Sequence, residues 1–282
     1  MYAGIVAIAV LSLVVVLQVF STGTKDGNLS VTFFDVGQGD STFIESPDGT
    51  QILIDGGKGG MVLRGLSKEM GFFDRDIDMV LITHPDLDHI GGLIDVLKKY
   101  DVQTIVMTEN INDTPAVRLL QDEISREKAN VIFTRRGQVF DIGLGEQGST
   151  TLSILFPDRD PTHLESNTSS IVAQLVYGES EFIFTGDSPK SIEEYLVSIG
   201  STELQSDVLK VGHHGSKTSS AETFIASVSP NLAVISASKN NSYGHPHTEV
   251  TDRLTNQGIP YKNTADDGSI QIISDGEKIW LR

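Results

Sequence analysis

Apolar runs of four to six residues, each closed by glycine or a carboxylate, recur along this chain from Val31 onward. Val31-Thr32-Phe33-Phe34-Asp35-Val36 meets Gly37-Gln38-Gly39-Asp40-Ser41, Gln51–Ile54 meets Asp55-Gly56-Gly57, Phe182–Thr185 meets Gly186-Asp187, and Val208–Val211 meets Gly212-His213. Short β-branched and aromatic runs stopped by glycine predict strands. Further strands are predicted at Met79–Ile82, Thr104–Met107, Val131–Phe133, Val139–Phe140, Thr151–Phe156, Ile171–Tyr177 and Leu232–Ser236. Helical spacing of apolar residues predicts helices over Gly60–Met70, Ile90–Lys99, Thr114–Lys128, Ala221–Val228 and Glu249–Gln257, with another through Ile192, Tyr195, Leu196 and Ile199. Strands alternating with helices imply an α/β fold, two sheets flanked by helices.

The amino end follows a different pattern. The first 24 residues carry no charged side chain, and Tyr2–Phe20 is an almost unbroken apolar run. At about 1.5 Å per helical residue it is long enough to cross a bilayer. A signal peptide would show a basic start and a small-residue cleavage site, and Val19-Phe20-Ser21 matches poorly. Residues 1–24 are expected to be an N-terminal membrane anchor or an uncleaved signal, 25–28 a linker and 29–282 a single folded domain.

Composition narrows the chemistry. A chain of 282 residues with 39% hydrophobic content can bury a large core. It contains no cysteine, which excludes disulfides and thiolate metal sites. A net charge of −17 opposes general affinity for polyanions, so any contact with nucleic acid must be local.

The reactive side chains gather in a few turns. Thr83-His84-Pro85-Asp86-Leu87-Asp88-His89-Ile90-Gly91-Gly92 puts two imidazoles and two carboxylates into six positions just past a buried strand, where α/β folds hold their ligands. Six of the seven histidines lie in this turn and two others, Gly212-His213-His214-Gly215-Ser216-Lys217-Thr218 and Tyr243-Gly244-His245-Pro246-His247; His163 stands apart. Neutral imidazole and carboxylate are the usual ligands of zinc, manganese or iron. Adjacent imidazoles after a strand point to opposite sides, so only one of His213 and His214 is expected to meet a given metal directly. Helix capping is the plainer role for Asp86, Asp88, Asp187, His247 and the hydroxyls after Gly215. Lys217 and its hydroxyl neighbours suit phosphate oxygens.

The order His-x-Asp-x-Asp-His resembles the His-x-His-x-Asp-His signature of the metallo-β-lactamase superfamily, with Asp86 in place of the second His. Over residues 29 to 282 the chain is similar to the extracytoplasmic hydrolase domain of ComEC-type DNA-uptake competence proteins. The resemblance implies an αββα four-layer sandwich of two mixed β-sheets flanked by helices. It also implies two divalent metal ions, Mn or Zn, held by His84, Asp86, Asp88, His89, Asp187 and either His213 or His214, with Asp187 shared. Asp35, Gln38, Asp55 and Asn167 would support the ligands from behind, and the segment Ser166–Ser170 stands where lactamases carry a further His. Asp88, His245 and Lys217 are the expected catalytic residues, His245 for proton donation or oxyanion contact and Lys217 for phosphate.

A pair of ions about 3.5–4 Å apart can share a hydroxide and stabilise both attacking and leaving oxygens of a phosphoryl transfer. The anionic Asp86 tilts the choice from zinc towards manganese. The expected activity is a membrane-anchored, metal-dependent phosphodiesterase, a nuclease on single-stranded DNA outside the cytoplasm, using a metal-bound hydroxide. A phosphorylcholine-esterase-like hydrolase of cell-wall polymers would use the same cage. A lactamase or thioester hydrolase fits less well, given Asp86 and the missing His, and a non-enzymatic binding module leaves the ligands without a purpose. DNA uptake would need a separate membrane channel protein.

Overall fold

The computed structural model describes residues 27–110 and 112–282. The predicted anchor lies outside them. Among the described residues no helix is long and apolar enough to cross a membrane.

The first half of the chain builds one sheet. β1 (Leu29–Phe33), β2 (Thr42–Glu45) and β3 (Gln51–Ile54) form an antiparallel meander, and β4 (Asp76–Leu81), β5 (Asp101–Met107) and β6 (Asn130–Phe133) extend it in parallel. The intervening helices are α1 (Met61–Glu69), α2 (Leu87–Ile90), α3 (Leu93–Leu97) and α4 (Pro115–Arg126). A second sheet begins with β7 (Val139–Gly145), β8 (Gly148–Phe156), β9 (Val172–Tyr177) and β10 (Ser180–Phe184) in antiparallel order. β11 (Val208–Lys210), β12 (Leu232–Ile235) and β13 (Tyr261–Asn263) follow in parallel, linked by α5 (Lys190–Gly200), α6 (Glu222–Val228) and α7 (Thr248–Asn256). After α8 (Thr264–Asp267) the chain returns to the first sheet, where β14 (Ile270–Ser274) pairs with β1 and β15 (Ile279–Leu281) forms the edge.

Three hydrophobic cores separate four layers, giving the expected αββα sandwich. Phe33, Ile52, Ile54 and Leu81 of one sheet meet Leu152, Phe182, Phe184 and Val234 of the other. Leu53 and Val80 face outward to Val62, Leu66 and Leu120 on the first helical layer. Ile183, Leu209 and Ile235 likewise meet Leu196, Phe224 and Leu254 on the second. Strands covered on both faces have no wet side, which is why they read as continuous apolar runs rather than alternating ones.

The predicted helix over Ile90–Lys99 is instead broken into α2 and α3. Gly92 N–H donates to Gly57 O (2.9 Å) and Gly56 N–H to His89 O (2.7 Å), so the helix backbone is pressed against the turn after β3. A Cβ on Gly91 or Gly92 would strike the carbonyls of Lys58 or Gly56, which accounts for the paired glycines. β1, β3 and β4 share a direction, and so do β10, β11 and β12. Their carboxyl ends bring the histidine-bearing turns together.

Candidate metal centre

Asp55, just past β3, is fully buried and adopts a left-handed conformation (φ 56°). Its Oδ1 accepts from Thr83 N–H (2.9 Å), and its Oδ2 accepts from Thr83 Oγ1–H (2.6 Å) and lies 2.8 Å from His89 Nδ1. With its hydroxyl proton spent on Asp55, Thr83 Oγ1 is left to accept from His84 Nδ1–H at 3.0 Å. His214 Nδ1–H donates to Ser236 O (3.0 Å) and lies 3.1 Å from Asp40 Oδ1. Each of these three imidazoles therefore holds a proton on Nδ1, which leaves Nε2 as the nitrogen a cation can take, in place of any second proton there.

Those Nε2 atoms converge on Asp187. His89 Nε2 is 3.3 Å from Asp187 Oδ1, while His214 and His84 Nε2 are 3.5 and 3.9 Å from Oδ2. The Nε2 atoms of His84, His89 and His214 and Asp187 Oδ1 are buried without hydrogen-bond partners. Asp88 Oδ2 approaches His214 Nε2 to 3.4 Å, and Asp86 Oδ2 approaches His84 Nε2 to 3.8 Å. Two ligands about 2.1 Å from a common ion lie roughly 3.3–3.9 Å apart when the angle between them is about 100–140°. Donor atoms of His84, His89 and Asp187 lie within 4.8 Å of one another, as do those of Asp88, His89 and His214.

The cluster attracts positive charge. Burial would lower the His214 pKa, yet the Asp187 and Asp40 carboxylates push it up to about 10, and against the same burial Asp187 and Asp55 raise His89 well above its ordinary value. Burial would raise Asp187, but His214, His89 and His84 hold it well below the carboxylate range. His84 falls to about 4, through burial and the adjoining His89. Unpaired donors in so anionic a cage fit divalent cations.

Both histidines of the adjacent pair turn towards Asp187, contrary to the alternation expected after a strand. His213 (φ 49°) and His214 (φ 55°) lie in a left-handed turn instead of continuing β11, and His213 Nε2 comes within 3.6 Å of Asp187 Oδ2. His214 is buried; His213 sits at the rim, with its Nδ1 3.2 Å from Thr218 Oγ1. Non-glycine residues in this region carry strain that surrounding contacts must hold.

Gln38 Oε1 accepts from Ser238 N–H (3.3 Å), which directs its amide Nε2–H to His245 Nδ1 at 3.4 Å and leaves the His245 proton on Nε2. Burial, then His214 and His213, lowers the His245 pKa to about 4 and keeps its ring neutral. Asp35, expected beside the ligand imidazoles, is exposed and accepts from Gly37 N–H in its own turn. Asp40, five residues on, takes that place instead. It is buried, and its Oδ2 accepts from Lys210 Nζ at 2.6 Å. Gly39 (φ 138°) makes this reach feasible: Asp40 N–H donates to Asp88 O, a carbonyl that a Cβ on residue 39 would strike.

The Ser166–Ser170 segment supports the cage. Ser166 Oγ donates to Asp86 Oδ1 (2.6 Å), Ser170 Oγ accepts from Asp187 N–H (3.2 Å), and Asn167 Oδ1 is buried without a partner. The capping roles drawn from sequence are not realised. α5 begins after Pro189 without a bond from Asp187, and neither Asp86 nor His247 caps its helix through its side chain. His247 Nδ1 accepts from the backbone of Lys217, whose side chain lies exposed at the rim. The lead into α6 is held by a residue of another helix, Glu193, whose carboxylate accepts from Ser220 N–H (2.8 Å) and Ala221 N–H (2.7 Å).

The chain belongs to the metallo-beta-lactamase superfamily, whose family model matches residues 34–239. Within it the chain is similar to ComEC-type competence proteins. It is 32% identical over 260 residues to ComE operon protein 3 of Bacillus subtilis (strain 168), covering 86% of this chain and 32% of that protein. It is 29% identical over 247 residues to competence protein ComA of Neisseria gonorrhoeae, covering 87% and 32%. The chain thus spans about a third of the length of these relatives. The metallo-beta-lactamase fold protein YhfI from Bacillus subtilis superposes with a TM-score of 0.53 at 14% identity, covering 89% of this chain and 99% of that one, a likeness of fold.

Proposed function

We propose that this chain is a metal-dependent phosphodiesterase that cleaves single-stranded DNA, tethered to a membrane through residues 1–24 with residues 29–282 outside the cytoplasm. The observation that carries the metal dependence is the convergence of three unpaired Nε2 atoms on the Asp187 carboxylate, whose Oδ1 is itself unpaired. Support for a DNA substrate comes from the similarity to proteins named for competence. His84, Asp86 and Asp187 would hold one ion; Asp88, His89, Asp187 and His214 would hold the other, with His213 at the rim. When bound, such ions supply Lewis acidity and a water of lowered pKa.

The remaining roles fall to the chain's own groups. Asp55 and Asp40 orient the imidazoles by holding their Nδ1 protons. His245, neutral and protonated on Nε2, donates to a phosphate oxygen or to the leaving oxygen. Lys217 binds phosphate at the rim, a local cation on an acidic protein. Asp86 hardens the cage towards manganese. DNA transport itself would belong to a separate membrane channel protein.

The test is incubation of the chelated full-length chain with a labelled single-stranded oligonucleotide, a small bis-aryl phosphodiester and a phosphorylcholine-bearing cell-wall polymer, restoring one metal at a time. Cleavage of the oligonucleotide and the diester, strongest with manganese, is expected. Turnover of the polymer alone would move the substrate class to cell-wall hydrolysis, and inertness with every ion would end the enzymatic reading.

A further inference from the structure

At the opposite end of the first sheet, the loop after α1 exposes Phe72 and Phe73. They are 79% and 72% accessible, with their rings packed edge to face at 4.9 Å. Two adjacent phenylalanines left in water are costly, and such exposure marks an interaction surface. Trp280 on edge strand β15 is 42% exposed.

A run of contacts brings these rings to one corner. Gln271 Nε2 donates to Glu69 Oε2 at the end of α1 (2.9 Å) and to Ser30 Oγ at the start of β1 (3.1 Å). Ile273, two residues on and hence on the same face as Gln271, pairs with both Ser30 and Trp280. Phe72 follows Glu69 by three residues, so its loop leaves α1 at this corner. Lys68 and Arg282 supply cations beside Glu69, and Arg75 closes the same loop with its guanidinium over the Tyr100 ring. Among the nearby acids, Glu69 faces Lys68 and Arg282, and Asp74 Oδ2 accepts from the Gln51 amide.

The chain also enters the domain here. β1 starts at Leu29 and runs from this corner towards Asp40 and the metal centre. Residues 21–28 reach at most about 28 Å when fully extended, so the apolar run Tyr2–Phe20 must end within that distance of the corner. Aromatic rings flanked by cations have the composition of a bilayer interface contact. A contact too weak to bind by itself becomes occupied once a tether holds it at high effective concentration.

We infer that Phe72, Phe73 and Trp280, with Lys68, Arg75 and Arg282 around them, rest on the bilayer that holds Tyr2–Phe20 and turn the metal centre away from the lipid. The inference builds on the membrane tether of the proposed function.

Trp280 is the only tryptophan in the chain and reports on the contact directly. The full-length chain is reconstituted into phospholipid vesicles with and without brominated acyl chains. Trp280 emission should shift to the blue and be quenched by the brominated lipid, and it should remain quenched at high salt because the rings carry the contact. A Phe72→Ser/Phe73→Ser variant should still float with the vesicles and keep its metal-dependent activity, yet lose the quenching. Wild-type chain that floats with Trp280 unquenched, or equal quenching in the double variant, would overturn the inference alone. A blue shift without quenching would assign the surface to association between copies and overturn it too. Wild-type chain that fails to float would remove the tether and the inference together.

Discussion

Asp55 and Asp40 decide which nitrogen each imidazole leaves for a cation, so the chemistry of the centre depends on residues that need not touch the metal. Asp55→Asn should weaken metal binding about 10- to 100-fold while the chain stays folded, as removal of a carboxylate behind a ligand imidazole commonly does. Metal titration of the variant beside the wild type checks this. Asp187→Ala and His89→Ala should each abolish hydrolysis, and more than a trace of metal-dependent activity in either would remove the two-ion assignment. Asp86→His exchanges a hard oxygen for a borderline nitrogen and should shift the preferred ion from manganese towards zinc. An unchanged order of metal preference would show that Asp86 does not coordinate. In chelator the sign of the pH response follows from His214, raised from 6.5 to about 10. Its contribution to stability is complete below the unfolded value and is lost as pH rises through the folded one. Thermal unfolding of the chelated chain should therefore show declining stability over that interval, while metal binding strengthens as fewer protons compete.

Much of this chemistry was legible in the sequence because the residue types are rare and grouped: six of seven histidines in three turns. What was not legible depends on backbone direction. Asp35 and Asp40 sit in one glycine-rich turn, and only the approach of Gly39 to Asp88 O decides which carboxylate points inward. Alternation does not hold at His213 and His214 because both leave the strand conformation. Lys210 did give a signal, a lone cation inside the run Val208–Val211; buried, such a group demands a partner, and that partner is Asp40.

At the scale of elements, the loop that follows the left-handed histidine turn is held between α5 and α7. Glu193 of α5 accepts from the Ser220 and Ala221 N–H groups just ahead of α6, and Arg253 of α7 donates to Ser220 O at 2.8 Å. Glu193→Gln replaces one accepting oxygen with a donor and leaves a buried N–H unmatched, which should cost about 1–3 kcal/mol. The denaturant midpoint measures it, and a midpoint unchanged from wild type would show that these two bonds are dispensable. Buried parallel strands announced themselves as apolar runs, whereas β2 and β13 to β15 are short and mixed in polarity, and gave no run long enough to read. The break between α2 and α3 was hidden because the apolar spacing continues across Gly91-Gly92, and only the turn after β3 makes those glycines necessary.

For the whole molecule, the two sheets place the metal centre at the carboxyl ends of β1, β3, β4, β10 and β11, far from the corner where β1 begins. If residues 1–24 anchor the chain with the domain outside the cytoplasm, protease added to intact cells should release a soluble fragment; full protection would reverse the orientation. The net charge of −17 sets long-range repulsion against the local attraction of the rim, so DNA binding should be weak away from the site. The central claim is that the converging Nε2 atoms and Asp187 hold catalytic metal. Elemental analysis of the full-length chain, combined with oligonucleotide cleavage before chelation, after it and on return of each ion, tests that claim most directly. Two bound ions per chain are expected, with activity lost on their removal and restored by manganese, and neither ions nor activity retained in Asp187→Ala. Cleavage that persists through chelation, or a wild-type chain that binds no more metal than the Asp187→Ala variant, would contradict it.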